Sequence, residues 1–291
     1  MKYYVRKIID FFIFSNIFIS LCAVAQGLVT YHLLNSSPNP IILAFLFSST
    51  LVTYNFSILI QRKAIKKRSR FRRIRWIYWH QSFCRAITLV AFLSLTPLFF
   101  ALNIQSQATL CIMGLLSIGY SLPIFTSKKR RFGIRNIPGL KLFLIALVWA
   151  VSCVTVPILE LNAGNLTPIS LSDTFILTVK RFLFITAITV PFDIRDLYQD
   201  RANELKTIPT LLGERKAYLF CQLLLLIYVV LLFMFNKGFD LNFFGLTATI
   251  ALTGWLIFRS NFKKNEYYYF FFMDGTMILQ YFILYIFSFI I

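Results

Sequence analysis

The segment 191–213, PFDIRDLYQDRANELKTIPTLLG, concentrates charge in a chain that is otherwise strongly apolar. Seven of its first sixteen residues are acidic or basic, whereas the chain as a whole is 58% hydrophobic and only 14% charged. Soluble domains carry about 25% charged residues. Lipid is therefore the solvent for most of this chain, and the segment must lie where the chain leaves it.

Apolar runs long enough to cross a bilayer as helices recur along the whole sequence, since a crossing needs about 20 residues. Lipid offers no hydrogen-bond partners to the backbone, and runs of this length predict helices rather than a barrel. The polar intervals between them are too short to bury a core. We therefore predict an all-α, polytopic transmembrane bundle in which residues 1–291 form one membrane-embedded domain. The nine predicted helices cover 8–33, 40–61, 79–101, 108–126, 138–159, 172–192, 215–236, 243–259 and 266–290.

The net charge of +19 follows the connections between these runs. The connections 34–39, 102–107, 160–171 and 237–242 contain one Lys between them, and the basic residues gather in the alternate ones. Under the positive-inside rule this alternation predicts a cytoplasmic N-terminus, an outer C-terminus and a cytoplasmic position for 191–213. The charge thus indicates orientation in the cell (inner or plasma) membrane rather than nucleic-acid binding.

Three features of the apolar runs receive an ordinary interpretation. Lys180 and Arg181 fall inside the sixth run, where we expect them to snorkel outward to lipid headgroups; the alternative is a buried role. The five cysteines show no paired spacing, so neither disulfides nor a zinc site is indicated. The triplet 23–25, Ala-Val-Ala, resembles a signal-peptidase site, but Asp10 and the length of the run favour an uncleaved first helix.

Asp193, Asp196 and Asp200 have the spacing D-x-x-D-x-x-x-D, which places them within about 60° of one another around a helix. Three carboxylates on one face repel unless a cation relieves them. Such oxygen ligands suit Mg²⁺, which substrate phosphates typically complete. We expect Arg195 to point elsewhere and, with Arg201, to turn toward water or headgroups. The alternative is a solvated loop helix whose ion-pair partners are Arg195, Arg201 and Lys206.

The residues around these aspartates add a more specific signal. The segment 191–213 closely resembles the second aspartate-rich motif of the UbiA superfamily of intramembrane prenyltransferases, including Arg-Ala-Asn, Lys-Thr, Pro and the final Leu-Gly. YSLPIFTSKKRR at 120–131 is similar to the family's Tyr-x-x-x-Lys type motif, and MDGTMILQ at 273–280 stands in the expected last helix. The resemblance extends over the whole chain.

The resemblance implies about nine helices around a central cavity and an integral membrane prenyltransferase. Such an enzyme moves a prenyl group from a prenyl diphosphate to a lipophilic acceptor at a site that opens to the cytoplasmic face. It implies Mg²⁺ as cofactor, with Asp193, Asp196 and Asp200 as catalytic and metal-binding residues. The acceptor is an aromatic quinone precursor, a tetrapyrrole or a lipid alcohol, and nothing in the sequence selects one. No protein partner or nucleic acid is predicted.

Further residues are candidates for substrate binding on the same basis. Asp274 lies about eight residues from a helix end, or ~12 Å deep, and an ionisable group at that depth usually faces a cavity or a partner. We expect it to face the cavity and position an acceptor; the alternative is an ion pair with Lys141 or Arg85. The basic cluster 128–131 is a candidate to contact diphosphate oxygens, or else serves orientation alone. Lys141 is close enough to an apolar run to line a cavity mouth. The full set of candidates is Asn55, Lys63, Tyr120, Lys128, Lys129, Arg130, Arg131, Arg135, Lys141 and Asp274.

The family's first aspartate-rich motif, N-x-x-x-D-x-x-x-D, is expected at the end of the second helix, where this chain reads YNFSILIQRK. Asn55 is in place, but Leu59 and Lys63 occupy the two aspartate positions. Either Lys63, beside Arg62, supplies positive charge to the diphosphate in place of a metal, or the protein is a non-catalytic isoprenoid-binding or carrier protein. A transporter is a weaker third interpretation, since the sequence shows no convincing internal repeat.

Overall fold

A computed structural model describes residues 2–59, 71–121, 125–127, 130–132, 139–164, 168–202 and 206–288. Helices dominate this part of the chain, which confirms the predicted all-helical class. The first half contains α1 (Lys2–Phe14), α2 (Ile17–Leu33), α3 (Pro40–Leu59), α4 (Arg72–Trp79), α5 (Gln81–Phe100) and α6 (Ile104–Ser121), followed by the short antiparallel strands β1 (Phe125–Ser127) and β2 (Arg130–Phe132). The second half contains α7 (Leu140–Ala150), a π-helical turn π1 (Val151–Thr155), α8 (Val156–Gly164), α9 (Leu171–Ala202), α10 (Ile208–Leu212), α11 (Glu214–Asn236), α12 (Leu241–Arg259), a second π-helical turn π2 (Tyr268–Met273) and α13 (Asp274–Phe287).

Six helical segments of the described residues are long and apolar enough to cross a membrane, and a seventh qualifies if the bent pair of α1 and α2 counts as one span. The helices α3 and α6 add shorter apolar stretches, Pro40–Phe56 and Ile104–Gly119. Within the described residues, each of the nine predicted runs overlaps one of these helical segments or the bent pair. The chain is thus a multi-pass membrane protein, while the number of crossings and the side of the N-terminus stay predictions.

The first apolar run is not the single helix predicted over 8–33. It breaks between α1 and α2, which meet at 67°. At the break Asn16 adopts a left-handed conformation with φ of 69°, which asparagine tolerates better than most residues because its short polar side chain bonds locally. The break turns the side chain of Asn16 into the bundle, where the residue is only 1% exposed.

The sixth helix was predicted to end at residue 192, but α9 continues through the charged segment to Ala202 and is 32 residues long. Pro191 lies inside this helix and removes one backbone hydrogen bond. The turns beyond it remain helical because Ile194 and Leu197, three residues apart on one face, are buried in the bundle. The three aspartates are therefore helical, as their spacing predicted, and the helix that carries them is the continuation of α9.

The long helices pack side by side in a ring, in which α2 near the start of the chain contacts α13 near its end. In order around the ring, α3, α2, α13, α12, α11, α9 and α7 pack each on the next, with α5 against α3 and α6 against α7. Buried polar side chains tie the ring together, as is common between membrane helices: Gln26 donates to the carbonyl of Met277 at 2.8 Å and Thr30 to that of Cys153 at 2.7 Å. The helices α5 and α6 are not packed closely on each other, so the ring is loosest between them.

The expectation that Lys180 and Arg181 snorkel outward is wrong. They are 2% and 5% exposed, because α9 is packed between α7 and α11. The Lys180 Nζ atom lies 5.4 Å from the ring centre of Tyr228 and 5.3 Å from that of Phe235. Arg181 donates a long hydrogen bond to the Thr30 hydroxyl at 3.4 Å. Neither cation has a salt-bridge partner within the described part of the chain.

A buried ammonium group without a carboxylate partner costs stability, so Lys180→Met should stabilise the protein. Apolar replacement of a buried ion pair is often neutral or gains 1–4 kcal/mol; for this single ammonium group, whose two ring contacts are lost, we expect about 1 kcal/mol. The measurement is the apparent unfolding temperature of the purified protein, which should rise by roughly 2–4 °C. Lys263→Met is the matched control, since Lys263 also lies over a ring but is exposed. A lower unfolding temperature for Lys180→Met would show that the ammonium group makes a net favourable contact.

Candidate functional site

Charged side chains from four parts of the bundle line one cavity of about 240 Å³ at the end where α2 begins. Three cations and three carboxylates share this small space, and aromatic and aliphatic side chains form the rest of its wall. The cations come from α4, α7 and α9, and the carboxylates from α9 and α13. The charged residues are Arg73, Lys141, Arg195, Asp193, Asp196 and Asp274.

Two of the carboxylates are each engaged by one cation. The Nζ atom of Lys141 lies 3.5 Å from an oxygen of Asp193, which is 5% exposed. Arg195 donates through Nε and Nη2 to the two oxygens of Asp196 at 3.0 and 2.9 Å. This fork geometry is the strong form of an arginine–carboxylate pair. Charge within the cavity is thus largely compensated on the α9 side.

The expectation that Arg195 points away from the aspartates is wrong. Its guanidinium carbon lies 5.3–5.4 Å from the ring centres of four aromatic residues, and Arg195 lines the cavity. The long side chain bends back along α9 because this aromatic surround favours a cation. The position of a residue around a helix predicts the direction of its Cα–Cβ bond, but it does not predict where the end of a long arginine side chain lies. The four rings belong to Phe71, Phe192, Tyr269 and Phe270.

Lys141 reaches the cavity because a glycine starts the helix that carries it. Gly139 has φ of 68°, a left-handed conformation that glycine adopts without strain. Its N–H donates to the carbonyl of Lys206 at 3.1 Å, which ties the start of α7 to the chain beyond α9. The sequence predicted Lys141 near a cavity mouth, and the structure places it on the cavity wall.

Arg73, Asn16 and Asn55 form a buried hydrogen-bond chain beside the cavity. Arg73 donates through Nη2 to Oδ1 of Asn16, and Nδ2 of Asn16 donates to Oδ1 of Asn55 at 2.7 Å. A guanidinium group can only donate, so it fixes the orientation of both amides. The chain ends on Nδ2 of Asn55, which has no hydrogen-bond partner among the described residues; the Arg73 Nε atom has none either. An unpaired buried donor costs about 1–3 kcal/mol.

The sequence analysis missed Arg73, which it counted within a basic connection. Glu266 positions it by accepting the backbone N–H groups of Arg72 and Arg73 at 2.6 and 3.0 Å, and so caps the start of α4. Arg72 turns to Asp10 on α1, while Arg73 turns to the cavity, with its Cζ atom 4.7 Å from the Phe270 ring centre. Burial lowers the pKa of Arg73 to about 10, so the group is charged at neutral pH.

The remaining described candidates take different positions. Asp274 lines the cavity and forms no salt bridge with Lys141 or Arg85 in the described ranges. It follows π2, and π-helical turns are frequent at functional sites. Asn55 reaches the cavity only through Asn16. Asp200 is not on the cavity wall; burial, with a smaller effect of the neighbouring Asp193, raises its pKa.

Several candidates cannot be placed on the cavity. Lys63, Lys128, Lys129 and Arg135 lie outside the described residues. For Tyr120, Arg130 and Arg131 the structure describes the backbone alone. Their assignment to substrate binding stays a prediction.

A larger apolar groove of about 660 Å³ adjoins the charged cavity. It is lined by α2, α3, α5, α6, α7 and π1 and lies between α5 and α6, which are not packed closely on each other. Tyr54 and Trp149 line both spaces, so the groove and the cavity meet at these two side chains. Leu59, in the first aspartate position of the expected motif, lines the groove. A volume of this size is typical of sites for small organic ligands.

The acidic residues fit one Mg²⁺ ion better than two. In the part of the chain that the structure describes, no three His, Cys, Asp or Glu side chains are grouped so as to hold a metal. Asp193 and Asp196 nevertheless lie one turn apart on α9 and both line the cavity. Mg²⁺ is commonly held by one or two carboxylates together with substrate phosphates and waters. This pair meets that requirement, whereas Leu59 removes a carboxylate from the opposite side.

A comparison with models of protein families identifies the family of the chain. The model of the UbiA prenyltransferase family matches residues 81–273, about two thirds of the chain. The chain belongs to the UbiA prenyltransferase family. The matched region contains Lys141 and the aspartates of α9, and it leaves out Asn55, Arg73 and Asp274. The part of this UbiA-family protein that departs from the expected first motif thus also lies outside the match.

Solved structures of UbiA homologues have the same fold. An apo homologue from Aeropyrum pernix K1 aligns with a TM-score of 0.60 at 12% identity, over 96% of each chain. A homologue from Archaeoglobus fulgidus bound to DMAPP and Mg²⁺ aligns at 0.62 with 13% identity, over 94% of this chain and 98% of that one. The same homologue bound to GPP and Mg²⁺ aligns at 0.61 with 12% identity, over 94% and 99%. No curated protein matches the chain at a significant level.

The hydrogen-bond chain predicts that Asn16→Ala is more destabilising than its backbone conformation explains. Asn35 is the matched control, because it also has a positive φ, 48°, but is exposed. Alanine at a left-handed position costs ~1 kcal/mol at either site, and only Asn16→Ala also strands buried partners, for ~1–3 kcal/mol more. Thermal unfolding of both variants measures the difference. Equal losses at the two positions would show that the bonds to Arg73 and Asn55 contribute nothing.

Proposed function

We propose that this UbiA-family protein transfers a prenyl group from a prenyl diphosphate to a lipophilic acceptor. The observation that carries the proposal is the junction at Tyr54 and Trp149 of a charged cavity with an apolar groove. A prenyl diphosphate has the same two-part character, an anionic head on an apolar chain. The complexes of the Archaeoglobus fulgidus homologue with GPP, DMAPP and Mg²⁺ support the same class of substrate.

In this proposal the diphosphate occupies the charged cavity and the prenyl chain occupies the groove. Lys141, Arg195 and Arg73 supply positive charge around the head group, and Asp193 and Asp196, with Asp200 one turn further along α9, would hold Mg²⁺. A cation at these acids would relieve the repulsion that contributes to the raised pKa of Asp200. The metal, when bound, would neutralise the charge that develops on the leaving diphosphate.

The reaction breaks the allylic C–O bond, and the diphosphate leaves with the electron pair. The residues that hold the head group act where negative charge develops, while Phe192, Phe270 and Trp149 line a wall that shields an allylic cation from water. The acceptor forms the new bond to carbon and releases a proton. Asp274 faces this space without a salt-bridge partner in the described ranges, and we assign it the role of orienting the acceptor.

A second candidate function is a non-catalytic prenyl-diphosphate-binding or carrier protein. The observation that favours it is Leu59, whose side chain lines the groove where the expected motif has an acid. Both candidates use the same cavity and differ in turnover. In either case we propose that residues 1–291 act as one domain in the cell membrane, with the cavity open to the cytoplasmic face.

The test is product formation by the full chain in lipid nanodiscs with labelled GPP, Mg²⁺ and a panel of lipophilic acceptors. Asp196→Asn should lower turnover about a hundredfold or more, since it removes a carboxylate that acts in the rate-limiting charge separation, and chelation should abolish turnover. Asp173→Asn is the matched control: it makes the same change at the far end of α9, and turnover should stay unchanged. Mg²⁺-dependent binding of GPP without product on any acceptor would exclude the enzyme and favour the carrier.

A further inference from the structure

Three buried N–H donors beside the cavity have no hydrogen-bond partner within the described ranges. They are Nδ2 of Asn55, Nε of Arg73 and Nη1 of Arg195. Asn55 is 1% exposed, so bulk water does not hydrogen-bond to its amide group. Buried polar groups in folded proteins are almost always paired. The two arginine donors belong to residues that line the cavity and indicate a ligand that brings acceptors, whereas Asn55 reaches the cavity only through Asn16.

The donors also indicate which ligand chemistry fits. Arg73 and Arg195 are both cations, so an anion with several oxygen atoms satisfies them better than a single neutral carbonyl. A phosphate group offers three strong acceptor oxygens, and an arginine fork matches its geometry. The two arginines stand on different elements, α4 and α9, and both line the cavity. A diphosphate, with a phosphate for each arginine, meets both.

Arg73 stands on the side of the cavity from which the expected first acidic motif is missing. Asn55, the one retained residue of that motif, is joined to Arg73 through Asn16. Leu59 faces the groove instead. On this side a fixed guanidinium group is therefore available where the motif would offer carboxylates and a metal.

We infer that Arg73, oriented by Asn16 and Asn55, binds the diphosphate directly in place of a metal, so that this chain requires a single Mg²⁺, on α9. The inference rests on the proposed function, since the ligand is the diphosphate of the same substrate. It assigns to Arg73 the positive charge that the sequence analysis expected from Lys63. The guanidinium is held by a hydrogen bond on one edge and by the Phe270 ring at 4.7 Å, and its Nε–H is left for a phosphate oxygen.

The inference predicts that the protein binds diphosphate without any metal. The experiment is isothermal titration of the full chain in nanodiscs with inorganic diphosphate in excess EDTA, at moderate salt to suppress binding to the many surface cations. Arg73→Gln should weaken binding about 10- to 100-fold, the usual effect of losing a charged hydrogen bond. Arg75→Gln removes the same charge from the same helix at an exposed position and should leave binding unchanged. Arg73→Lys should bind with an intermediate affinity, because it keeps the charge but loses the fork.

Two results of the titration would overturn the inference: no binding by the unaltered chain in EDTA, or equal affinities for Arg73→Gln and Arg75→Gln. Unfolding temperatures of the variants are measured in parallel, and Arg73→Lys decides the matter if Arg73→Gln does not fold. The titration measures binding and does not require turnover. Metal-free binding through Arg73 without product formation would overturn the proposed function alone. Turnover with Mg²⁺ that is unaffected by Arg73→Gln would overturn the inference alone.

Discussion

Six charged side chains share a cavity of about 240 Å³ inside a bundle built mostly of apolar residues. An isolated charge in such surroundings is costly, and it persists only with a partner or a ligand. On the α9 side each acid has its cation: Lys141 with Asp193, and Arg195 with Asp196. Arg73 and Asp274 line the same cavity without a salt bridge in the described part of the chain. These two charged groups without a salt bridge make the cavity a candidate site.

The local structure serves to bring these groups together. A left-handed Asn16 breaks the first helix and carries its own amide to Arg73 and Asn55. Glu266 caps α4, which directs Arg72 and Arg73 to different sides. A left-handed Gly139 starts α7 and sets the direction of Lys141. Each is a departure from regular helix geometry at the end of the bundle where the charges meet, and the ring of long helices supplies the rigid frame.

The sequence predicted the long helices because apolar length is a strong, local signal that needs no knowledge of neighbours. It also predicted that Asp193 and Lys141 lie near a cavity, from the acidic spacing and the position of Lys141 at the edge of an apolar run. It failed where the result depends on tertiary contacts. The break at Asn16 and the inward course of Arg195 depend on partners far along the chain, and Lys180 is buried because neighbouring helices surround it. Arg73 was hidden in a run of basic residues, although Glu266 and Asn16, polar residues in or beside apolar runs, were signals of its partners.

We propose that a protein side chain and one metal ion, rather than two metal ions, hold the diphosphate. The most direct measurement is a structure of the protein with a prenyl diphosphate and Mn²⁺, with the metal located by its anomalous scattering. We predict one metal at Asp193 and Asp196, and the guanidinium group of Arg73 within hydrogen-bond distance of a phosphate oxygen. A second metal beside Asn55, or Arg73 turned away from the phosphates, would contradict it.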